Sequence, residues 1–381
     1  MRRGGLEIYT TLDLDLQQTA HEAVNDYLPG DNEWEFGSSA VSVEAGTGRI
    51  ITMAQNRVFD QSENPGPGRT SVNYNTDREY GGSSGFQPGS TYKVFVLADW
   101  LNSGFTLGDH VDGREKEWDV ANEFTARCGG LVGTWETENS GETVEDLSVL
   151  QATRTSQNTA FADMASQLDL CDIRDTAVDF GVHRADGNEL SFVPSSILGV
   201  NEVAPLTMAS AFAAIANDGT YCSPIAIDSV TKRRTGEQLD VPQSRCSQSV
   251  TPDVAAALAY AMQQVVSGGT AIASNTGQGI PLAGKTGTTD DSIHTWMVGY
   301  SSEVSTAVWV GNVKGLIPQR GKSVDGRAVS TLRHDIWRTV MTDVNDVYGG
   351  ESFPRANPRY LEALQVQVPD VAGMDPLMAA E

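Results

Sequence analysis

The apolar positions of this 381-residue chain switch several times between strand-like alternation and helical spacing. Residues 6–11 alternate as in a short strand, and residues 12–28 carry the spacing of an amphipathic helix that stops at Pro29-Gly30. Two β-rich runs, 38–44 and 49–54, flank the turn Ala45-Gly46-Thr47-Gly48 and predict a hairpin. Residues 56–89 are polar, rich in Gly, Ser and Asn, and hold no sustained period. A structureless stretch of that length inside a compact domain is usually functional. It ends at Gln87-Pro88-Gly89-Ser90, after which residues 91–101 are apolar enough to predict a buried helix.

Residues 147–216 are Ala- and Leu-rich at helical spacing and broken at Gly181, Pro194 and Pro205, which predicts several packed helices. Residues 221–240 alternate and turn at Thr235-Gly236, a hairpin excursion, and residues 252–266 are helical again. Strands follow from Gly284 onward, at 295–300 and 306–311, before a closing helix at 333–344. Strands at both ends around a helical middle predict one sheet made from the chain's termini, with helices on its faces.

Charge narrows the partners. With 26 basic and 50 acidic residues the formal charge is −24, so nucleic acid is excluded, because that affinity rests on Lys and Arg displacing counterions. The longest apolar runs, 209–216 and 254–262, fall far short of the ~20 residues of a bilayer span. The segment is expected to be soluble as given, with any anchor or leader lying upstream of Met1. No metal or cofactor is expected. His21, His110, His183, His294 and His334 share no ligand spacing and read as solvated or core residues, and the cysteines lack the close pairs of a zinc site. Cys128, Cys171, Cys222 and Cys246 admit two readings. They are four buried thiols, or two disulfides with Cys222 and Cys246 bracketing a hairpin-like stretch and Cys128 and Cys171 the remainder.

Only six lysines occur, and two of them end a Ser-x-x-Lys match: Ser90 to Lys93, and Ser229 to Lys232. On a helix this spacing puts both side chains on one face, so the amine can take the hydroxyl proton; on a strand they point to opposite sides. Ser229 sits in an alternating run and is set aside. Ser90 opens the apolar helix, where backbone N–H groups supply half of an oxyanion hole; its alternative role is an ordinary N-cap. Lys93, one turn into so apolar a helix, must be partly buried, which lowers its pKa toward that of a base. Ser156-Gln157-Asn158, within a helical region, and Lys285-Thr286-Gly287-Thr288, opening an edge-like strand, are weak signals singly and gain weight from their order in one chain.

Ser-x-x-Lys, Ser-x-Asn and Lys-Thr-Gly together resemble the penicillin-recognising serine acyltransferases, the group of penicillin-binding proteins and serine β-lactamases. Further stretches are similar to a class A penicillin-binding protein's transpeptidase domain: Thr10-Thr11-Leu12-Asp13, Phe86 to Lys93, Leu198 to Leu206, Gly268-Gly-Thr-Ala271, Gly284 to Thr289, Trp296 to Tyr300 and Val308 to Asn312. The resemblance implies an α+β, multi-layer, β-lactamase/transpeptidase-like fold, with an antiparallel sheet built from both chain ends, helices on both faces and an all-helical subdomain. It implies residues 1–36 as a linker strand and helix leading from a glycosyltransferase domain, 37–345 as the transpeptidase domain, and 346–381 as a linker. Val368 to Met374 resembles the start of a PASTA repeat.

By the same resemblance Ser90 is the nucleophile toward a peptidoglycan stem peptide and Lys93 its base. Ser156 and Asn158 relay a proton and hold the donor, Lys285 supplies positive charge, and Thr286, Gly287 and Thr288 bind the substrate's terminal carboxylate region. The Ser90 and Thr288 N–H groups form the oxyanion hole. Donor and acceptor stem peptides, β-lactams and cell-wall synthesis proteins are the implied partners, at the extracytoplasmic face of the membrane, where disulfides are favoured. The alternatives are a D,D-carboxypeptidase or serine β-lactamase, and a non-catalytic β-lactam sensor or scaffold. Two departures bear on the acceptor side: His294-Thr295-Trp296 stands where the class often has Asp, and Val329 to His334 replaces a Gly/Ala/Pro-rich lead into the last helix.

Overall fold

The structure, a computed structural model, describes residues 5–363, so the PASTA-like stretch lies outside the described residues. Five strands form the central sheet: β1 (Phe36–Glu44), β2 (Ile50–Gln55), β3 (Ala283–Thr288), β4 (His294–Tyr300) and β5 (Val304–Asn312). Their order is β3-β4-β5-β1-β2 and every pairing is antiparallel. β1 and β5 pair along their whole length, from Phe36 with Asn312 to Glu44 with Val304, joining the two ends of the chain in one sheet. All nine residues of β5 are buried, as expected of a central strand covered on both faces.

Eight principal helices surround the sheet: α1 (Leu14–Tyr27), α2 (Lys93–Asn102), α3 (Val149–Thr155), α4 (Asn158–Ser166), α5 (Leu170–Asp179), α6 (Pro205–Ala216), α7 (Pro252–Gly268) and α8 (Leu332–Tyr348). Strand alternation sorts the core into two layers. Ala40, Met297, Val308 and Val310 pack with Leu16, Ala20 and Val24 of α1 and with Ile336, Trp337 and Met341 of α8. Val41, Trp296, Val298 and Trp309 face the opposite way, into the block built by α2 to α7. The helix of the amino-terminal lead-in is thus packed into the same core as the last helix.

Caps fix the helix starts. Asp13 accepts from the N–H groups of Asp15 and Leu16, and Ser148 with Gln151 forms a capping box on α3. Thr251 caps α7, whose first residue is Pro252. The long 56–89 stretch is mostly loop, with two-residue strands Val58–Phe59 and Arg69–Thr70 and one helical turn, Arg78–Gly81. Residues 153–160, which read as a helical region, are broken at Ser156, which takes a left-handed conformation (φ 61°, ψ 38°) between α3 and α4. Cys128 is joined to Cys171, and Cys222 to Cys246 across the pairing of Thr220–Cys222 with Cys246–Gln248.

Glycine permits the approach that builds the cleft. A Cβ on Gly287 would meet the Pro88 carbonyl oxygen at 2.1 Å, and one on Gly89 would meet the Thr288 backbone at 2.7–2.9 Å. The edge strand β3 therefore lies against the turn carrying Ser90, backbone on backbone.

Asn56, 1% exposed, ties three elements together. Its Oδ1 accepts from the Ser38 N–H, and its Nδ2 donates to the carbonyls of Leu28 and Phe36. Asn56→Ala removes the side-chain partner of the Ser38 N–H and the Leu28 carbonyl, while the Phe36 carbonyl keeps Asn32 Nδ2, so it should cost about 1–3 kcal/mol. Urea unfolding measures this; a loss below about 0.5 kcal/mol, the range of neutral surface changes, would contradict the assignment.

Candidate active site

Ser90 lies in a tight 3-10 turn, Gly89–Tyr92, that runs directly into α2 at Lys93. The turn is held from both sides: the Gly89 N–H donates to the Gly199 carbonyl, and the Trp296 indole N–H donates to the Gln87 carbonyl. Phe86 stacks on Trp309 with ring centroids 3.6 Å apart, which anchors the approach to the serine. The Ser90 N–H belongs to the first turn, where it has no intrahelical acceptor.

The Lys93 side chain is fully buried. Its amine donates to the Ser156 carbonyl at 2.8 Å and to Asn158 Oδ1 at 2.7 Å, and lies 3.5 Å from Ser156 Oγ. Burial, reinforced by the Lys285 charge, holds its pKa well below the ordinary lysine range. A neutral amine has two N–H bonds and one lone pair. In the neutral form those two N–H bonds go to the Ser156 carbonyl and Asn158 Oδ1, and the lone pair is left to accept a proton. The Ser90 hydroxyl, one turn away on the same segment, has no hydrogen-bond partner among the described residues, and the expected Ser90–Lys93 bond is not formed in this rotamer.

The break at Ser156 explains how its carbonyl reaches Lys93. A left-handed non-glycine residue at a helix end costs of order 1 kcal/mol, and such strain clusters at functional sites. Asn158 is fixed as firmly. Its Nδ2 donates to the Glu138 carbonyl at 2.8 Å, which turns Oδ1 toward Lys93, while Asn139 Oδ1 accepts from the Asn158 N–H at 2.8 Å.

Lys285 on β3 is also fully buried; its amine donates to Ser156 Oγ at 2.6 Å and to the Thr286 carbonyl at 3.1 Å. Burial, with the Arg333 charge adding to it, brings its pKa down to about 7. Ser156 therefore stands between two lysines whose charges are both disfavoured. Because Lys285 donates to its oxygen, the Ser156 hydroxyl proton is free for another acceptor.

Strand alternation puts Thr286 and Thr288 on the face opposite Lys285. The Thr286 hydroxyl, on a residue 5% exposed, is 2.7 Å from Thr270 Oγ1. Thr288 Oγ1 accepts from Arg333 Nη1 at 2.8 Å, and the same nitrogen donates to the Gly287 carbonyl at 2.8 Å. Hydrogen bonds thus link Lys93, Ser156, Asn158 and Lys285, and Gly287 and Thr288 lie against the turn that carries Ser90. Ser229, in strand Ile227–Lys232 and paired with Tyr9, lies outside this group.

The sequence assigns no role in the site to Asn139, Thr270 or Arg333, and marks His334 only as a solvated or core residue. Asn139 is 19 residues from the Asn158 N–H it holds, and Thr270, inside the similar stretch Gly268 to Ala271, is 16 residues from the Thr286 hydroxyl. The stretch Val329 to His334 was visible as a departure, but assigned to acceptor handling; here it contacts β3 on the Thr288 side. His334, read as a solvated or core residue, is buried and bonded to Arg333. The other departure, His294, borders a neighbouring cavity of about 600 Å³ shared with Phe86, Glu202 and Asp290. Burial lowers its pKa to about 4, and its Nδ1 accepts from the Trp309 indole at 3.3 Å.

Residues 38–333 match the penicillin binding protein transpeptidase domain. Penicillin-binding protein 1A of Mycolicibacterium smegmatis is 29% identical over 92% of this chain and 43% of its own length, and that of Mycobacterium tuberculosis is 28% identical over 92% and 41%. The chain spans less than half the length of these curated relatives. The structure of the penicillin-binding protein PonA1 from Mycobacterium tuberculosis superposes with a TM-score of 0.75 at 26% identity, covering 95% of this chain and 91% of that one. A second structure of PonA1, in complex with penicillin V, superposes at 0.74 with 26% identity over 95% and 92%. The sheet order, the cleft between β3 and the Ser90 turn, and these likenesses lead to one assignment: the chain belongs to the penicillin-binding protein transpeptidase family, as a transpeptidase domain of class A type.

Proposed function

We propose that this domain is a serine D,D-transpeptidase that cross-links peptidoglycan stem peptides through an acyl-enzyme on Ser90, and that β-lactams acylate the same hydroxyl. The observation that carries the proposal is the fully buried Lys93 amine, held by the Ser156 carbonyl and Asn158 Oδ1 with no carboxylate beside it. Ser90 Oγ attacks the carbonyl carbon of the penultimate D-Ala while its proton passes to the Lys93 lone pair. The N–H groups of Ser90 and Thr288 stabilise the resulting oxyanion, and one such donor is worth ~3 kcal/mol. The C–N bond breaks, and the leaving amine takes its proton through the Ser156 hydroxyl. The amine of a second stem peptide then attacks the ester, and Ser90 recovers its proton.

The edge position of β3 supports the donor side of this reading, because an unpaired strand edge can accept an extended peptide. A hydrolytic outcome, as in a β-lactamase, needs a base to activate water. Among the described residues no carboxylate is hydrogen-bonded to Lys93, Ser156 or Lys285. A non-catalytic sensor would have no use for a desolvated lysine, which only destabilises the fold. The two disulfides fit an extracytoplasmic site of action, where stem peptides lie. On this reading residues 37–345 form the catalytic unit of a longer, membrane-anchored protein that works beside other cell-wall synthesis proteins.

Intact-mass spectrometry after benzylpenicillin tests the reaction. Wild type should gain one ligand mass that persists for hours, and Ser90→Ala should gain none. Rapid loss of the adduct points to a β-lactamase, and adduct on Ser90→Ala removes this serine from the chemistry.

Acylation should also follow a bell-shaped pH profile. Lys93 must be neutral, so the rate rises as pH passes its lowered pKa; Lys285 loses its charge as pH rises through about 7, so the rate then falls. Lys93→Met should slow acylation by roughly 10²–10⁴-fold, the usual worth of a general base, while the domain stays folded. An unchanged rate in that variant contradicts the mechanism.

A further inference from the structure

The proposed chemistry leaves Arg333 without a role, although it sits where the sequence departs from its class. Its guanidinium is half-buried and clamped on β3: Nη1 donates to the Gly287 carbonyl and to Thr288 Oγ1, both at 2.8 Å. Nε donates to His334 Nε2 at 3.2 Å, and His334 Nδ1 lies 2.8 Å from Ser274 Oγ. Since His334 Nε2 accepts, its proton is on Nδ1 and goes to Ser274. Ser274 is fully buried and His334 is 7% exposed, so the imidazole is a fixed strut. Burial, then the charges of Arg333 and Arg338, keep it neutral, with a pKa near 3.

Two features give this arrangement a function. The chain has 50 acidic residues, yet none of the described carboxylates pairs with Arg333, whose Nη2 donates to no described residue. A half-buried guanidinium bonded only to neutral acceptors keeps its charge uncompensated and can pair with an anion. Lys285 is not the nearest cation on that side. Its amine is committed to Ser156 Oγ on the opposite face of β3, whereas Arg333 touches Thr288 itself. By donating to Thr288 Oγ1, Arg333 also fills an acceptor position of that hydroxyl, leaving its proton to be donated to a ligand.

We propose that Arg333, aimed by the neutral His334–Ser274 strut, is the specificity-determining cation for the donor's terminal carboxylate, acting together with the Thr288 hydroxyl. The inference rests on the acyl-enzyme reading of the site and assigns the carboxylate end of it to residues of α8. Arg333 binds the carboxylate; His334 is a positioning residue that acts through it.

The test compares acylation rates for benzylpenicillin and for its methyl ester, which lacks the anion. Wild type should prefer the acid. Arg333→Gln should slow the acid roughly 10- to 100-fold, the size of a lost charge-assisted contact, and leave the ester within about twofold, so the acid-to-ester ratio collapses. Arg333→Lys keeps the charge but not the fork, and should give an intermediate ratio. His334→Leu should lower the ratio in the same direction, by less. Should Arg333→Gln fail to fold, Arg333→Lys carries the same decision. A parallel fall for acid and ester makes Arg333 a strut for β3 only and overturns the proposal, as does an unchanged ratio. Failure of wild type to be acylated by either compound overturns the acyl-enzyme reading instead.

Discussion

Removing one lysine amine from water is the constraint on which the site depends. Lys93 is wholly enclosed, and an enclosed ammonium with no carboxylate beside it is so unfavourable that its pKa falls well below the ordinary lysine range. Two carbonyl-type oxygens, from Ser156 and Asn158, then satisfy the N–H bonds of the neutral amine. Geometry and the lowered pKa point the same way: the acceptors are neutral and offer no negative charge that would hold an ammonium. Lys285, equally buried and close enough to repel a second charge, pushes the same way.

Much of the surrounding fold reads as support for that amine. The left-handed turn at Ser156 would be a defect in an ordinary helix, yet it is what points a carbonyl at Lys93. Asn139, from a distant loop, holds the first N–H groups of α4, and the Glu138 carbonyl fixes which way the Asn158 amide faces. Glycines 89, 199 and 287 let three backbone segments meet without side chains between them, bringing β3 to the serine. The sheet that carries β3 is closed by the full-length pairing of β1 with β5, so the cleft depends on contacts between residues more than 250 positions apart.

The sequence was most informative where chemistry is local. Ser90 and Lys93 are three residues apart on one apolar segment, and the strand periodicity around Ser229 was enough to dismiss the rival match. The hairpin of β1 and β2, the strands after Gly284 and most helices follow from their periods. The break at Ser156 was hidden because the surrounding stretch reads as helical by its apolar spacing, although Thr155, Ser156 and Asn158 are weak helix formers. Sheet order, Asn139, Thr270 and the Arg333–His334 pair were equally hidden, since each acts on a residue far along the chain. His334 shows the limit well: a lone histidine on a helix gives no sign that its second nitrogen will orient an arginine.

The central claim is that Lys93 is uncharged at neutral pH. Six lysines make it directly measurable: with lysine labelled at Cε with ¹³C, the purified domain gives few enough resonances to titrate individually by NMR, and Lys93→Met and Lys285→Met assign the two that matter. The account predicts two resonances titrating far below the others, one near pH 7 for Lys285 and one for Lys93 also well below the ordinary lysine range. A Lys93 resonance that titrates with the surface lysines, near ~10.4, would contradict it.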